Sequence, residues 1–469
     1  MTARGAPFRR AGALECIAVI ERPPLPPGPF LVVGLARSGV AAALALRARG
    51  GEVVGCDSGP VGDDARAELE AAGIAVHAPA EGVELLAAAS TVVKSPGVPQ
   101  EAPVVAGARR QGLRVVGELE IGWRLLAHEF IAVTGSNGKT TTAELVGHVH
   151  REAGAPVVVA GNVGTALTSL PHALDAGTVV VCEASSFQLE DTEAFAPEAA
   201  VLLNLAEDHL DRHGSFDAYR AAKMQVFARQ PADAVAVAPA DLAPDLPGGA
   251  ERVTFGPGGD VEHRDDRLWW RGEPLIEAAA IRLRGAHNRE NAMAAAAVCL
   301  ARGLPPGAVR AALESFAGVP HRMEEVGRID GVLYVNDSKA TNVASAVVAL
   351  ESFAPGSVHA ILGGRGKGGD HGPLARAVAE HARAAYLIGE AAGALAEALA
   401  GTGVPLNRCG DLERAVAAAR AAARPGEVVL LSPASASYDQ YRSFEERGDH
   451  FRELVRHAGS RIGSASEGG

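Results

Sequence analysis

The chain has 469 residues, of which 48% are hydrophobic and 21% charged, and its formal net charge is −12. These proportions suit a soluble globular protein of about three domains, and the acidic balance argues against a dedicated nucleic-acid binder, which would carry a basic stripe. No apolar run is long enough for a membrane span and the start lacks a signal-peptide pattern. Five scattered cysteines form no Cys-x-x-Cys pair, which disfavours a disulfide framework or a cysteine zinc site. A reducing cytoplasm is the expected compartment. Of 44 Lys and Arg, only five are lysine: Lys94, Lys139, Lys223, Lys339 and Lys367. A genomic base-composition bias explains the excess of arginine, and the lysines that persist are candidates for chemistry that a guanidinium cannot do.

In chain order, residues 1–29 end in the proline-rich RPPLPPGP and read as a tail or irregular lead-in. FLVVGL (30–35), GVAAALALRARG (39–50) and EVVGCD (52–57) follow a strand–helix–strand rhythm that continues to about residue 117. IAVTG (131–135) opens a second strand–loop–helix series, with VVVCE (179–183) and AAVLLNL (199–205) as further strands. Residues 232–283 are richer in Pro, Gly and Asp and are predicted to form an antiparallel extension. A third series runs through VLYVND (332–337), VHAILGG (358–364), AAYLIG (384–389) and VVLLSP (428–433). The expectation is an α/β protein of three domains: 30–117, 118–318 and 319–469, each built on a parallel sheet.

The clearest local signal is Thr134-Gly135-Ser136-Asn137-Gly138-Lys139-Thr140-Thr141, between a predicted strand and a predicted helix. Successive backbone N–H groups and a helix N-terminus make an anion nest, glycines admit the phosphates, Lys139 would reach the β/γ-phosphates, and the Thr140 hydroxyl would ligate Mg²⁺. The loop departs from the standard phosphate-loop spacing, with Val133 where its first glycine would stand. A weaker nucleotide signal is Gly34-Leu35-Ala36-Arg37-Ser38-Gly39, with Asp57 ending the next strand. Ala36 replaces the middle glycine of the dinucleotide fingerprint, which favours a nucleotide other than NAD.

TGSNGKTT (134–141), GNVG (161–164), EASSFQLE (183–190), EDHLDRHGSFDAYRAAK (207–223), GAHNRENAMAA (285–295), HR (321–322), NDSKATN (336–342), GGRGKGG (363–369) and SPASASYDQY (432–441) occur in this order. Together they resemble the Mur ligases of peptidoglycan synthesis across residues 30–460. The resemblance implies a Rossmann-like N-terminal domain, a central P-loop ATPase-like domain and a Rossmann-like C-terminal domain. It also implies ATP-dependent amide formation through an acyl phosphate. ATP and two Mg²⁺ ions are the implied cofactors.

Position by position, the resemblance implies that Gly135, Ser136, Asn137, Gly138, Lys139, Thr140 and Thr141 hold ATP, with Asn291 toward adenine, Arg322 toward the γ-phosphate and Asp337 toward the ribose. Thr140 and Glu183 would hold the first Mg²⁺. His209 would help hold the second. Lys223 matches a lysine that CO₂ carbamylates, a reaction closed to arginine, which presents no free primary amine. Lys139, Glu183, His209 and Lys223 form the implied catalytic set. Leu35, Ala36, Arg37, Ser38, Asp57, Ser95, Pro96 and Gly97 match the uridine-diphosphate end, and Asn162 matches a contact to the muramoyl substrate.

Lys339, Thr341, Lys367, Ser437 and Phe444 match positions that hold glutamate, whose second carboxylate needs donors of its own. The implied reaction adds D-glutamate to UDP-N-acetylmuramoyl-L-alanine. Another Mur-type ligase, including an L-glutamate-adding variant, is the alternative. A folylpolyglutamate synthase fits less well, because a domain precedes the ATP loop here. A monomer without a nucleic-acid partner is expected, with a hinge near Phe316-Ala317-Gly318 and domain closure over the ligands. Arg365 and the long lead-in depart from the family pattern, and Lys94 has no assigned role.

Overall fold

The computed structural model describes residues 20–170, 174–283, 285–366 and 370–463. The chain divides between Phe316 and Ala317 into two compact units.

The first unit carries two sheets. Strands β1 (Phe30–Val33), β2 (Val53–Cys56), β3 (Ala75–His77), β4 (Thr91–Lys94) and β5 (Arg114–Gly117) form a parallel sheet in the order β3-β2-β1-β4-β5. The short apolar runs of β1, β2 and β4 are the sequence of central strands covered on both faces, while β3 is an exposed edge. The order reverses beside β1, so the loops after β1 and β4 part there and leave a crevice at the carboxyl ends of the strands.

The second sheet has nine strands: β6 (Phe130–Thr134), β7 (Val157–Gly161), β8 (Val179–Glu183), β9 (Ala199–Leu202), β10 (Val235–Pro239), β11 (Glu251–Phe255), β12 (Val261–Arg264), β13 (Arg267–Trp270) and β14 (Glu273–Glu277). Strand β6 lies between β9 and β8 and pairs parallel with both, so the phosphate loop that follows it also opens at a reversal point.

The extension differs from expectation. Strands β10 and β11 continue the parallel sheet, and only β12, β13 and β14 pair antiparallel with one another. Strand β9 stops at Leu202, because Leu203 to Ala206 turn away to pack on the phosphate loop.

The lead-in is not loose where it is described. Arg22 donates to both oxygens of Glu198 (2.9 and 3.1 Å) and to His128 O (2.5 Å), and its guanidinium lies 4.6 Å from the Trp123 ring centre. Residues 1–19 lie outside the described residues.

The second unit holds β15 (Glu324–Ile329), β16 (Val332–Asn336), β17 (Val358–Gly363), β18 (Ala382–Ile388), β19 (Leu406–Gly410) and β20 (Val428–Leu431), in the order β15-β16-β20-β17-β18-β19. The last strand inserts between β16 and β17, and all pairings are parallel except β15 with β16. Strand β15 escaped sequence reading because EEVGRI is a half-exposed, bulged edge strand without an apolar run. The loops after β16, β17 and β20 leave from one edge of adjoining strands.

Candidate active site

The phosphate loop forms as its sequence requires. Strand β6 ends at Thr134 and a 14-residue helix starts at Lys139, so the loop leads straight into a helix N-terminus, where backbone N–H groups lack intrahelical partners. Gly138 has φ 84° and a Cβ there would strike Asn291 Oδ1. Lys139 Nζ folds back onto the carbonyls of Gly135 and Ser136, 2.9 Å from each. Ser136 Oγ meets Ala206 N (2.9 Å) and Tyr219 OH (2.9 Å), and Asn137 N donates to Asn204 Oδ1 (2.9 Å). These ties stiffen the loop from beneath.

Asn291 is buried between the loop and the helix. Its Oδ1 accepts from Thr142 Oγ1 (3.3 Å) and its Nδ2 donates to Asn288 Oδ1 (3.1 Å). Asn291 thus lies against Gly138 and the helix that follows it.

Glu183 ends β8 beside the loop. Thr140 Oγ1 donates to its Oε2 (2.7 Å) and Asn162 Nδ2 donates to its Oε1 (2.9 Å). Two residues from separate segments therefore share the Glu183 carboxylate. Lys223, 1% exposed, donates to Gly135 O (2.8 Å) and its Nζ lies 4.6 Å from the Tyr219 ring centre. Burial, with the Lys139 charge beside it, pulls its pKa down from 10.5 to about 7; Asp208 and Glu183 oppose that shift. His209 contacts Asp208 and Phe187. It is half-exposed, at φ 53°, with Nε2 3.4 Å from Asp208 Oδ2 and its ring 4.8 Å from Phe187. Among the described residues, no group of three or more His, Cys, Asp or Glu is arranged to hold a metal.

A cavity of about 560 Å³ lies at the reversal point of the first sheet. Ala36, Arg37, Ser38, Ser95, Pro96 and Gly97 line it with Asp57, and Asn162 and Gln188 reach it from the second sheet's side. Leu35 instead turns into the core; its N–H donates to Asp57 Oδ2 (2.7 Å), while Gly59 N donates to Oδ1 (2.8 Å). Ser95 Oγ donates to Gly34 O (2.7 Å). Gly39 is required because a Cβ there would run into that same carbonyl.

Lys94, immediately before Ser95, is fully buried. Its Nζ lies 2.8 Å from Asp191 Oδ2 and donates to Val98 O (3.0 Å). It joins the loop after β4 to the segment that follows Gln188, and nothing in its local sequence signals those partners.

In the second unit, Asp337 follows β16. It accepts from Ser432 Oγ (2.8 Å) and from Met323 N (3.2 Å). Burial lifts its pKa from 3.8 to about 7, against the lowering effects of these bonds and of the Arg322 charge. Lys339 Nζ lies 5.9 Å from the Phe444 ring centre, and Thr341 N donates to Lys339 O (2.8 Å). Ser437 is buried after β20. Lys367 lies outside the described residues. Arg365 pairs with Glu390 at 3.3 Å on the surface, and its N–H donates to Ala436 O (2.8 Å).

The comparisons agree with this geometry. A Mur ligase middle-domain model matches residues 133–299, and a Mur ligase glutamate-ligase-domain model matches residues 321–435. The chain is 41% identical over 442 residues to the UDP-N-acetylmuramoylalanine–D-glutamate ligase of Koribacter versatilis, covering 91% of this chain and 96% of that one. It is 42% identical over 449 residues to the enzyme of that name from Geobacter metallireducens, covering 92% and 98%. Among solved structures, the UDP-N-acetylmuramate–alanine ligase of Thermotoga maritima superposes with a TM-score of 0.56 at 20% identity, over 92% of this chain and 99% of that one, and shares its fold. With the phosphate loop, the Thr140–Glu183–Asn162 cluster and three α/β sheets in place along nearly the whole length of such relatives, the chain belongs to the Mur ligase family.

Proposed function

We propose that the protein joins D-glutamate to UDP-N-acetylmuramoyl-L-alanine with hydrolysis of ATP to ADP and phosphate. The observation that carries this is the identity of 41–43% over about nine-tenths of the chain with ligases of that name. In this reaction an oxygen of the substrate carboxylate attacks the γ-phosphorus and ADP leaves. The amine of D-glutamate then attacks the acyl carbon of the acyl phosphate, a C–N bond forms, phosphate leaves and the amine gives up a proton.

The residues suit each requirement. The loop from Gly135 to Thr141, with Lys139, would cradle the β/γ-phosphates. Hard oxygen donors suit Mg²⁺, and Thr140 and Glu183 already place a hydroxyl and a carboxylate oxygen 2.7 Å apart, with Asn162 fixing the other oxygen. Bound there, Mg²⁺ would offset the charge that builds on the transferring phosphoryl group. Lys223 and His209 would serve a second ion, with Lys223 as the carbamate. Its amine suits that modification: buried, and close to half neutral at pH 7.

The cavity beside β1 would take the uridine-diphosphate end, with Arg37 as its cation. Arg322 and Asp337 would meet ATP, and Lys339, Thr341, Lys367, Ser437 and Phe444 the amino acid. No helix among the described residues is long and apolar enough to cross a membrane. A cytoplasmic monomer fits this function.

The test is ADP release by purified protein with UDP-N-acetylmuramoyl-L-alanine and a panel of D- and L-amino acids. Turnover only with D-glutamate is expected. Turnover with L-glutamate or another amino acid, and none with D-glutamate, would overturn the assignment.

A further inference from the structure

Among the described residues, Arg447 is the largest side chain that is fully buried, at 1% exposure. A buried guanidinium ordinarily has a carboxylate against it, because an isolated interior charge is strongly disfavoured. Among the described residues, no carboxylate stands at ion-pair distance from Arg447. Its Nε donates to Ser338 Oγ (2.9 Å), its Nη2 to Ser338 O (2.8 Å), and its Nη1 and Nη2 to Ser435 O (3.2 and 3.3 Å). All are neutral acceptors. Asp439 is the acid whose charge reaches it, from further off, and burial still draws its pKa down from 12.5 to about 10.

Its position gives this charge a use. Ser338 lies between Asp337 and Lys339 in the loop after β16. Ser435 lies two residues before Ser437 in the loop after β20. Arg447 also packs against Gly364, after β17. Ser338 Oγ in turn donates to Phe444 O (2.8 Å). One cation therefore holds the backbones of the loops that carry Lys339, Ser437 and Phe444, all proposed to face the amino acid.

We propose that Arg447 is a positioning and specificity-determining residue for the amino acid: fixed on neutral oxygens behind the loops that carry Lys339, Ser437 and Phe444, it supplies an interior positive charge that a dicarboxylic amino acid neutralises and a neutral one does not. This rests on the reading of the second unit as a D-glutamate site. It goes beyond that reading by assigning acidic selectivity to a side chain that never touches the ligand.

The experiment measures KM for D-glutamate, KM for ATP and kcat in the full-length protein, starting with the wild type. Absence of wild-type turnover with D-glutamate would refute the functional assignment itself, and the variants address Arg447 separately. Arg447→Gln is expected to raise the D-glutamate KM by about 10- to 100-fold, with kcat and the ATP KM within about threefold of wild type. Arg447→Lys keeps the charge and loses the fork, and is expected to recover most of that KM even where its Tm falls.

If Arg447→Gln does not fold, Ser338→Asp keeps the arginine and sets a carboxylate against Nε. It is expected to raise the D-glutamate KM by at least about tenfold. A wild-type D-glutamate KM in Arg447→Gln or in Ser338→Asp would overturn the proposal. So would equal impairment of Arg447→Lys and Arg447→Gln, which would mark Arg447 as a structural clamp alone.

Discussion

Lys94 offers the most direct test of how the first unit is held together. Replacing it with Met removes the ammonium and leaves Asp191, whose side chain is 1% exposed, with Gln100 Nε2 at 2.9 Å and the half-exposed Arg109 at 3.5 Å. Breaking one side of a buried ion pair costs about 3–5 kcal/mol, because the abandoned charge stays desolvated. For a domain of a few hundred residues each kcal/mol moves Tm by about 2 °C, so the first-unit transition should fall by about 6–10 °C in Lys94→Met. Calorimetry on the wild type, Lys94→Met, Asp191→Leu and the double variant completes the cycle. The double variant should regain most of the loss, since a matched apolar pair replaces a buried ion pair at little cost. A fall of less than about 2 °C in Lys94→Met, or a double variant no better than the worse single one, would refute this account of the pair.

Carbamate formation on Lys223 requires the neutral amine to attack CO₂ and release a proton. Its pKa of about 7 therefore predicts a ¹³C-carbamate signal from labelled bicarbonate that rises through pH 7, absent in Lys223→Arg; a midpoint near that of an ordinary lysine would contradict the burial argument. Glu183→Gln leaves a neutral amide facing Thr140 and should lower kcat by at least about 100-fold while weakening the Mg²⁺ dependence; an unchanged Mg²⁺ titration would remove Glu183 from the metal site. Asp337 binds its proton more tightly folded than unfolded, so its contribution to stability declines as pH rises from about 4 to about 7 and is level above that. Asp337→Asn should remove that decline in the second unit's unfolding midpoint, and an unaltered pH profile would show that the carboxyl is not buried as described.

Legibility tracked how local each signal was. The phosphate loop could be read because its chemistry is contiguous: strand, glycine loop and helix N-terminus within one short stretch. Its supports, Asn204 and Tyr219, were silent because they arrive from distant segments. Asn291 was legible as a motif residue, yet its placement against Gly138 depends on packing that no spacing reveals. Lys94 carries no local sign of Asp191, since a strand end meeting a distant turn is a property of the folded unit. Arg447 was hidden for another reason: it is one of 39 arginines, 44 Lys and Arg less five Lys, and only burial sets it apart from those at the surface. The antiparallel extension is legible in composition, but the boundary that leaves β10 and β11 in the parallel sheet is not, because short strands look alike in either orientation.

The scarcity of lysine also shapes what can be done to the protein chemically. Lys94 and Lys223 are buried, and Lys139 and Lys339 are half-buried, so none of the four described lysines stands openly in solvent. Among the described residues, acylating reagents therefore find no openly exposed lysine to modify. Where they do react, at Lys139 or Lys339, the two substrates proposed for those positions would shield them. A mild amine-labelling experiment read by the peptides that carry Lys139 and Lys339 thus becomes a footprint of ligand occupancy.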